Sequence, residues 1–246
     1  MSARFLPLWA EELRRRYLRG ESSMFVLHGN VYDVVLHEKK ALSLTDFLSN
    51  VLLKESRETI AVYNVATGVR FTKKARDAAG AFEELLGAPS KDKTLAALEK
   101  LVLSSMKTAV IVEYAETLAP AGDPSFQADA DRAAIVTLHR WSFLPEIEKG
   151  DNVVLLVAEN LAELSPKLVS NPKVAVVEVP MPDREARRGA ALFADPKLTD
   201  KDADRYAEVT AGLKAIQIAG ILAPPPPSEE ERGEREAFIT GILGGG

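Results

Sequence analysis

Three apolar stretches of the chain each end in polar residues that could take part in chemistry. These stretches, within residues 24–27, 108–112 and 153–158, are typical of buried strands. Ligands of open parallel sheets bind beyond the carboxyl ends of the strands, so the residues that follow the stretches are the candidate site. They are His28, Gly29 and Asn30 after the first stretch, Glu113 and Tyr114 after the second, and Asn160 after the third.

The first of these strand ends has the position of a phosphate-binding loop but little of its chemistry. Such a loop uses glycines to bring backbone N–H groups to phosphate oxygens, a lysine for the outer phosphates, and a hydroxyl for Mg²⁺. The segment after residue 27 contains one glycine, Gly29, and no lysine before Lys39. It also contains Asp33, whose charge would repel a triphosphate. We therefore expect Gly29 to be a turn residue that touches no phosphate.

Two other groups of residues allow more than one interpretation. Glu113 and Glu116 are either a carboxylate pair for a metal ion or acid–base chemistry, or polar residues that end a strand. Asn160 is either an amide that orients a water or a phosphate, or a structural cap of the loop after its strand. The histidines are too widely spaced for a local metal motif and the chain has no cysteine, so we expect no metal site.

The pattern of apolar residues predicts a three-layer α/β fold with a parallel sheet of about five strands. Continuous apolar runs belong to strands covered on both faces, and here they alternate with helical patterns. The N-terminal helix is expected over residues 5–18, with Phe5, Trp9, Leu13 and Tyr17 on one face. The remaining strands are expected within 59–65, 108–114, 152–160 and 174–183, and the remaining helices near 43–52, 73–86, 90–106, 128–144 and 183–193.

The predicted elements divide the chain into four parts. Residues 1–21 carry the N-terminal amphipathic helix, and residues 22–195 form the α/β domain. Residues 196–223 contain only helical patterns and are expected to form a small C-terminal helical subdomain. Residues 224–246 combine a proline-rich linker with an acidic helix, and their glycine-rich end is typical of a linker into a further module.

Composition and charge argue against several classes of protein. The chain has 246 residues, of which 46% are hydrophobic and 27% are charged, as in globular proteins. Its net charge of −5 argues against nonspecific binding to nucleic acid, and no stretch has the ~20 apolar residues of a membrane span. The absence of cysteine and of a signal-peptide pattern predicts a cytoplasmic protein.

Three segments, in order along the chain, resemble motifs of the AAA+ ATPase family. AVIVEYAETL, residues 109–118, resembles the Walker B motif, and residues 153–187 resemble the sensor 1 strand together with the strand that follows it. Residues 205–222 resemble part of the family's helical lid. The resemblance covers roughly residues 22–222. It implies a P-loop-NTPase-like parallel sheet followed by a small helical lid over residues 196–223.

At the positions of the family's catalytic groups this chain carries other residues. By resemblance, Glu113 stands where an aspartate orders Mg²⁺, and Tyr114 stands where a glutamate polarises the attacking water; a phenol is a poor base at neutral pH. Asn160 occupies the sensor 1 position. Near the arginine finger the segment SNPKV offers only Lys173, whose ammonium lacks the planar fork of a guanidinium. We therefore expect no catalytic residue in this domain.

The resemblance implies a degenerate AAA+ module that serves assembly, regulation or substrate handling in an AAA+ ATPase ring. It identifies the chain as the N-terminal half of a tandem bacterial AAA+ ATPase. The implied partners are other AAA+ domains or subunits, commonly in hexamers, and a protein substrate or adaptor. Lys173 is then the candidate for contact between subunits, and the vestigial nucleotide pocket consists of His28, Gly29, Asn30, Glu113, Tyr114 and Asn160.

Two alternatives to this interpretation stay open. The first is an ATPase that binds ATP and Mg²⁺ in an unorthodox pocket and hydrolyses ATP slowly, which predicts thermal stabilisation by nucleotide. The second is a protein-binding module that works without nucleotide. In the preferred interpretation this domain binds no cofactor, and neither nucleic acid nor a membrane is a partner.

Overall fold

The computed structural model describes residues 6–38, 40–75, 90–123 and 125–222, and its centre is a β-sheet. The strands are β1 (Met24–Gly29), β2 (Val35–His37), β3 (Lys40–Leu42), β4 (Thr59–Asn64), β5 (Gly68–Lys73), β6 (Thr108–Val112), β7 (Val153–Val157) and β8 (Val174–Val179). Six of them form one sheet with the order β5-β4-β6-β7-β1-β8, and β2 and β3 form a separate hairpin.

Helices surround this sheet and continue beyond its last strand. They are α1 (Leu8–Leu18), α2 (Leu44–Phe47), α3 (Lys91–Val102), α4 (Ala115–Leu118), α5 (Asp129–Trp141), α6 (Pro145–Lys149), α7 (Pro166–Val169), α8 (Arg184–Ala194), α9 (Asp200–Val209) and α10 (Ala215–Ile221). Helix α2 continues directly into a π-helical turn, Leu48–Leu52. Within the described residues, no helix is both long and apolar enough to cross a membrane.

Five strands of the sheet run parallel, as the apolar pattern predicts. These are β4, β6, β7, β1 and β8. Every residue of β6 and β7 is buried, because helices cover the sheet on both faces. The predicted three-layer α/β fold with a parallel sheet and helices after it is therefore confirmed.

The sheet also has a sixth strand that the apolar pattern did not predict. Strand β5 pairs antiparallel with β4 at the edge of the sheet. In the turn between them, the side-chain oxygen of Asn64 accepts hydrogen bonds from two following backbone N–H groups at 3.1 and 2.9 Å. An edge strand with charged residues lacks a continuous apolar run, so it gives a weak signal. The helix predicted over 73–86 is wrong at its start because Lys73 ends β5, and residues 76–89 lie outside the described residues.

The two faces of the sheet have separate hydrophobic cores. On one face the sheet packs against α3 and α5, where Trp141 is completely buried. The indole N–H of Trp141 donates to Glu99 at 2.6 Å, so its polar atom is satisfied. On the other face Trp9 of α1 packs against Phe47 of α2, with ring centroids 5.5 Å apart. Two packed faces are what a three-layer fold requires.

The N-terminal helix α1 begins directly after Pro7. Its Trp9 and Leu13 are buried, as predicted, and Tyr17 is partly buried. Phe5, the other residue of the predicted apolar face, lies outside the described residues. The helix therefore docks on the α/β core through the predicted stripe rather than standing apart from it.

The C-terminal helix α8 packs against both α9 and α10. A small buried cluster joins α8 and α10 through Ala190, Ala191, Ala215 and Ile218, and Tyr206 of α9 packs against it. Helices α9 and α10 lie within the predicted lid segment, and α8 packs with them although it precedes that segment. The boundaries at residues 21, 195 and 223 stay predictions, and the linker and acidic helix predicted over 224–246 lie outside the described residues.

Candidate functional site

A cleft of about 800 Å³ lies at the carboxyl edge of the sheet, where ligands of parallel sheets bind. Of the predicted site residues, Glu113 and Tyr114 line this cleft, together with Tyr32 and Asp33 from the loop after β1. The other predicted residues of this edge lie at the ends of β1 and β7 and are not among the residues that line the cleft; they are His28, Gly29, Asn30 and Asn160.

The backbone N–H groups after β1 are committed to hydrogen bonds within the chain. The N–H of Gly29 donates to the carbonyl of Glu159 at 3.0 Å, and the N–H of Asn30 donates to the carbonyl of Val179 at 2.8 Å. The N–H of Val31 donates back to the carbonyl of Gly29 at 2.8 Å. A phosphate loop instead directs consecutive N–H groups at the ligand. This loop therefore binds its own neighbouring strands.

Gly29 has two structural reasons to be glycine. Its φ of +93° is in the left-handed half of backbone space, which side chains disfavour. A Cβ atom at this position would also lie 2.7 Å from the carbonyl oxygen of Val179, well inside van der Waals contact. The glycine thus lets the chain leave β1 close to β8, which is the turn role that we expected.

Asp33 joins the loop after β1 to the first turn of α10. It is 5% exposed. One carboxylate oxygen accepts hydrogen bonds from the Ala215 N–H at 2.7 Å and the Asn30 side-chain amide at 2.9 Å. The other oxygen accepts from the Ile216 N–H at 3.0 Å and the Val34 N–H at 2.8 Å. A carboxylate at a helix N-terminus is stabilised both by the unpaired N–H groups and by the helix dipole.

The Asp33 contact changes what the strand end can bind. N–H groups at a helix N-terminus form a natural anion site, and here an internal carboxylate occupies the first two of α10. From the sequence we expect Asp33 only to repel phosphate, and its partner 182 residues away is not predicted. Nothing in the local sequence signals this contact, because Asp33 lies in a loop without periodicity.

Glu113 ties three elements of the sheet edge together. Its side chain is 17% exposed. It accepts hydrogen bonds from the Thr45 hydroxyl at 2.7 Å and from the Asn64 amide at 3.0 Å, and it pairs with Arg70 of β5 at 3.1 Å. Both oxygens are therefore engaged by donors of the chain. A metal ion at this carboxylate would have to displace at least one of them.

Glu116, the second half of the predicted carboxylate pair, has a different environment. Its Oε2 atom is buried and has no hydrogen-bond partner among the described residues. Burial raises the pKa of Glu116 above its usual value, and the nearby charges of Glu163 and Glu159 add to this rise. The donors to Glu113 are Thr45, Asn64 and Arg70, whereas Oε2 of Glu116 has none among the described residues, so the two carboxylates have different surroundings.

Tyr32 and Tyr114 form a stacked aromatic pair beside the cleft. Their ring centroids are 5.1 Å apart and their planes differ by 22°, and the residues are 40% and 46% exposed. Burial raises the pKa of Tyr32 above its usual value, with a further contribution from Glu116, so the phenol stays protonated at neutral pH. Tyr114 has φ 53° and ψ 49°, a left-handed conformation that costs a residue with a side chain about 1 kcal/mol.

The remaining predicted residues have structural contacts or lie elsewhere. The side-chain oxygen of Asn160 accepts from the Ala162 N–H at 3.0 Å, which is the contact of a structural cap. His28 lies opposite Glu178 in the register of β1 and β8. Lys173 is exposed just before the start of β8, at the end of that strand opposite the cleft. Among the described residues, no group of three histidine or acidic side chains is placed to hold a metal ion.

Comparison with known families locates a match over most of the chain. A family model described as AAA+ chaperone, N-terminal Rossmann-like domain, matches residues 2–180. The matched region contains α1 and all strands of the sheet, and it ends before α8. No curated protein matches the chain.

Proposed function

The chain belongs to the family of AAA+ chaperone N-terminal Rossmann-like domains, and we propose that it is a module that has lost ATP hydrolysis. In this proposal the module serves assembly, regulation or substrate handling in an AAA+ chaperone. The observation that carries the proposal is the internal carboxylate of Asp33 at the N-terminus of α10. It supplies the negative charge and the acceptor oxygens that a phosphate would otherwise bring to the N–H groups of this helix.

Two further contacts support the loss of nucleotide chemistry. The N–H groups of Gly29, Asn30 and Val31 already donate to carbonyls of the chain, so they do not form a phosphate cradle. Glu113 already accepts from Thr45 and Asn64 and pairs with Arg70, which leaves its oxygens occupied. Each contact alone could be displaced by a tightly bound ligand. Together they mean that the groups at this strand end, which could otherwise bind a nucleotide, are bonded to other groups of the chain.

The Asp33 contact also supports a role in holding a fixed shape. It joins the loop after β1 to α10 through buried, charge-assisted hydrogen bonds, which are stronger than neutral ones. The position of α10 relative to the loop after β1 therefore does not depend on a phosphate. A module of this kind can serve as a scaffold whose shape does not change with nucleotide, within an assembly that hydrolyses ATP at another domain.

Family membership suggests assembly with other AAA+ subunits. We propose that the chain acts within a ring, commonly a hexamer in this family, beside an active ATPase domain on the same chain or in a partner subunit. A protein substrate or adaptor is the proposed cargo. The exposed Lys173 is the proposed contact with a neighbouring subunit.

The tyrosine pair favours a second role, the binding of a protein partner without nucleotide. Tyr32 and Tyr114 present stacked, partly exposed rings, and Tyr114 holds a strained backbone to do so. Exposed aromatic side chains are enriched at protein interfaces. Strained backbone conformations persist only where the surrounding structure maintains them, and they concentrate at binding sites.

Calorimetric titration of ATP and Mg²⁺ into the full chain tests the proposal. We expect no saturable heat and no rise in Tm with ADP, since a ligand that binds the native state must stabilise it. In the Asp33→Ala variant, inorganic phosphate should raise Tm more than in the unaltered chain. The reason is that the Ala215 and Ile216 N–H groups at the start of α10 have lost their internal acceptor. Saturable ATP binding to the unaltered chain, with thermal stabilisation, would favour the slow ATPase instead.

A further inference from the structure

The residues that line the cleft at the carboxyl edge of the sheet give it a negative charge. In the described part of the chain, the charged residues among them are Asp33 and Glu113. Asp33 accepts hydrogen bonds from amide N–H groups, which carry no full charge. Glu113 pairs with Arg70 at 3.1 Å, but Arg70 does not line the cleft, and its side chain is 48% exposed. The lining therefore carries more negative than positive charge.

Two further carboxylates, those of Glu116 and Glu159, add to this negative charge. Burial is the main reason why the pKa of Tyr32 is raised, and the charges of Glu116, Glu159 and Glu113 add to the rise. Glu159 pairs with Lys214 at 3.5 Å, but its side chain is 57% exposed, so this pair is well screened by water. Four carboxylates thus stand against two cations, namely Asp33, Glu113, Glu116 and Glu159 against Arg70 and Lys214.

Aromatic rings lie beside these carboxylates. Tyr32 and Tyr114 both line the cleft, and their stacked side chains belong to residues that are 40% and 46% exposed. The face of an aromatic ring attracts cations, and a guanidinium can also stack flat on it. The chain contains this combination at another place, where the guanidinium of Arg57 lies 4.9 Å from the centroid of the Tyr17 ring and 3.6 Å from Asp151. A basic side chain that enters the cleft therefore meets both aromatic rings and carboxylates.

Apolar side chains form a further part of the lining. Val65, in the turn after β4, is 41% exposed, and covering such surface on binding is favourable. The volume of about 800 Å³ is in the upper part of the range of ~300–1,000 Å³ for ligand pockets, so it has room for more than one side chain. The complementary ligand thus combines a positive charge with apolar groups. The apolar lining residues are Val31, Leu44, Val65, Ala66 and Val157.

We propose that this cleft binds a short segment of a partner protein in which arginine side chains stand beside apolar ones. A guanidinium of the segment stacks on the tyrosine pair and is attracted by the surrounding carboxylates, and an apolar side chain of the segment covers Val65. The same charges disfavour an anionic partner. This inference rests on the proposed binding of a protein partner at the tyrosine pair, and it adds the chemistry of that partner.

Calorimetric titration of the full chain with a synthetic peptide tests this inference. The probe is an acetylated and amidated octapeptide that alternates leucine and arginine, at physiological ionic strength, which screens nonspecific attraction. We expect saturable binding, at least about tenfold weaker binding when citrulline replaces arginine, and no binding when glutamate replaces it. Absence of saturable binding of the arginine peptide at millimolar concentration would overturn the proposal.

Two variants at Val65 test the role of charge within the cleft. Val65→Lys adds a cation and should weaken binding of the arginine peptide by at least about tenfold. Val65→Glu adds a carboxylate of similar reach and should leave the affinity equal or higher. Both variants should fold, because Val65 lies in an exposed turn. Equal losses of affinity in the two variants would show that the effect is steric, and would refute the electrostatic basis of the proposal.

A variant of Tyr114 tests the role of the aromatic pair. Tyr114→Asn removes the ring, and it should fold because asparagine tolerates the left-handed conformation of this position. We expect binding of the arginine peptide to weaken about threefold or more, the loss of one cation–π contact. The matched control Phe143→Asn removes an aromatic side chain that is 50% exposed near the amino-terminal edge of the sheet, and should leave the affinity unchanged. Unchanged affinity in Tyr114→Asn would place the peptide elsewhere and refute the inference.

These measurements separate a failure of this inference from a failure of the proposed function. If the citrulline peptide binds as tightly as the arginine peptide, and Tyr114→Asn weakens both, the tyrosine pair is still a site for a protein partner. The basic character of that partner is then overturned. The loss of nucleotide chemistry is tested independently, because the titration with ATP and Mg²⁺ contains no peptide.

Discussion

Removal of the Asp33 carboxylate should detach α10 from the loop after β1. The Asp33→Ala variant loses the acceptor of the Ala215 and Ile216 N–H groups and of the Asn30 amide. Loss of a helix N-cap costs ~0.5–2 kcal/mol, and a buried donor left without an acceptor costs ~1–3 kcal/mol. Because water reaches part of the vacated site, we expect the free energy of unfolding to fall by about 3 kcal/mol.

Two other variants separate the possible causes of such a loss. Asp183→Ala removes an exposed cap, which accepts from the Ala186 N–H at 2.8 Å, and should cost about 1 kcal/mol. Asp33→Asn keeps the volume of the side chain but offers one acceptor oxygen and no charge. Its loss should fall between those of the two alanine variants.

Urea unfolding followed by circular dichroism measures these free energies, and hydrogen exchange locates the effect. In Asp33→Ala the amides of α10 should exchange at least about tenfold faster, while those of the central strands change less. If Asp33→Ala costs no more than Asp183→Ala, and the exchange of α10 is unaltered, the Asp33 contact does not hold α10 in place. The main support for the proposed function would then be lost.

Three further predictions concern other contacts. Gly29→Ala should destabilise the chain by about 2 kcal/mol or more, because of its positive φ and the close Val179 carbonyl; Gly68→Ala, with a positive φ but open space, should cost about half as much in thermal unfolding. The pKa of Asp151 is lower than usual. Burial raises this pKa, but the contacts with Tyr17, Arg57 and Lys107 lower it by more. The ionised Asp151 carboxylate therefore stabilises the fold above its unfolded pKa of about 3.9, and this stabilisation is lost as pH falls through the lower folded pKa. Asp151→Asn should accordingly lower Tm at pH 7, and the difference in Tm from the unaltered chain should disappear in acid. Glu113→Gln should leave any ATPase activity of the complete assembly within a few-fold, and complete loss of turnover would show that this carboxylate is catalytic.

The parallel sheet could be predicted because its signal is local. Strands such as β6 and β7 are buried on both faces, so they are continuous apolar runs that a reader of the sequence can find. The predicted face of α1 follows from helical spacing in the same way. Strand β5 was missed because its position at the edge allows charged residues, and Lys73 resembles the beginning of a helix.

The candidate site was predictable in position but not in chemistry. The order of elements placed Glu113 and Tyr114 at the carboxyl edge of the sheet, and the structure puts both beside the cleft. Whether Glu113 is a free carboxylate or a structural tie depends on Thr45, Asn64 and Arg70. These residues come from three separate elements, and their mutual distances follow only from the packed fold.

By itself, the sequence determined the α/β architecture, the order of its elements and the lack of a glycine-rich phosphate loop, since each depends on residues close together in the chain. Only the tertiary structure decided that Asp33 meets α10 across 182 residues, and that Tyr17 meets Asp151 across 134. Such contacts depend on how the layers pack, and a carboxylate in a loop carries no local mark of its distant partner. The sequence indicated what this strand end lacks, and the packing decided what takes its place.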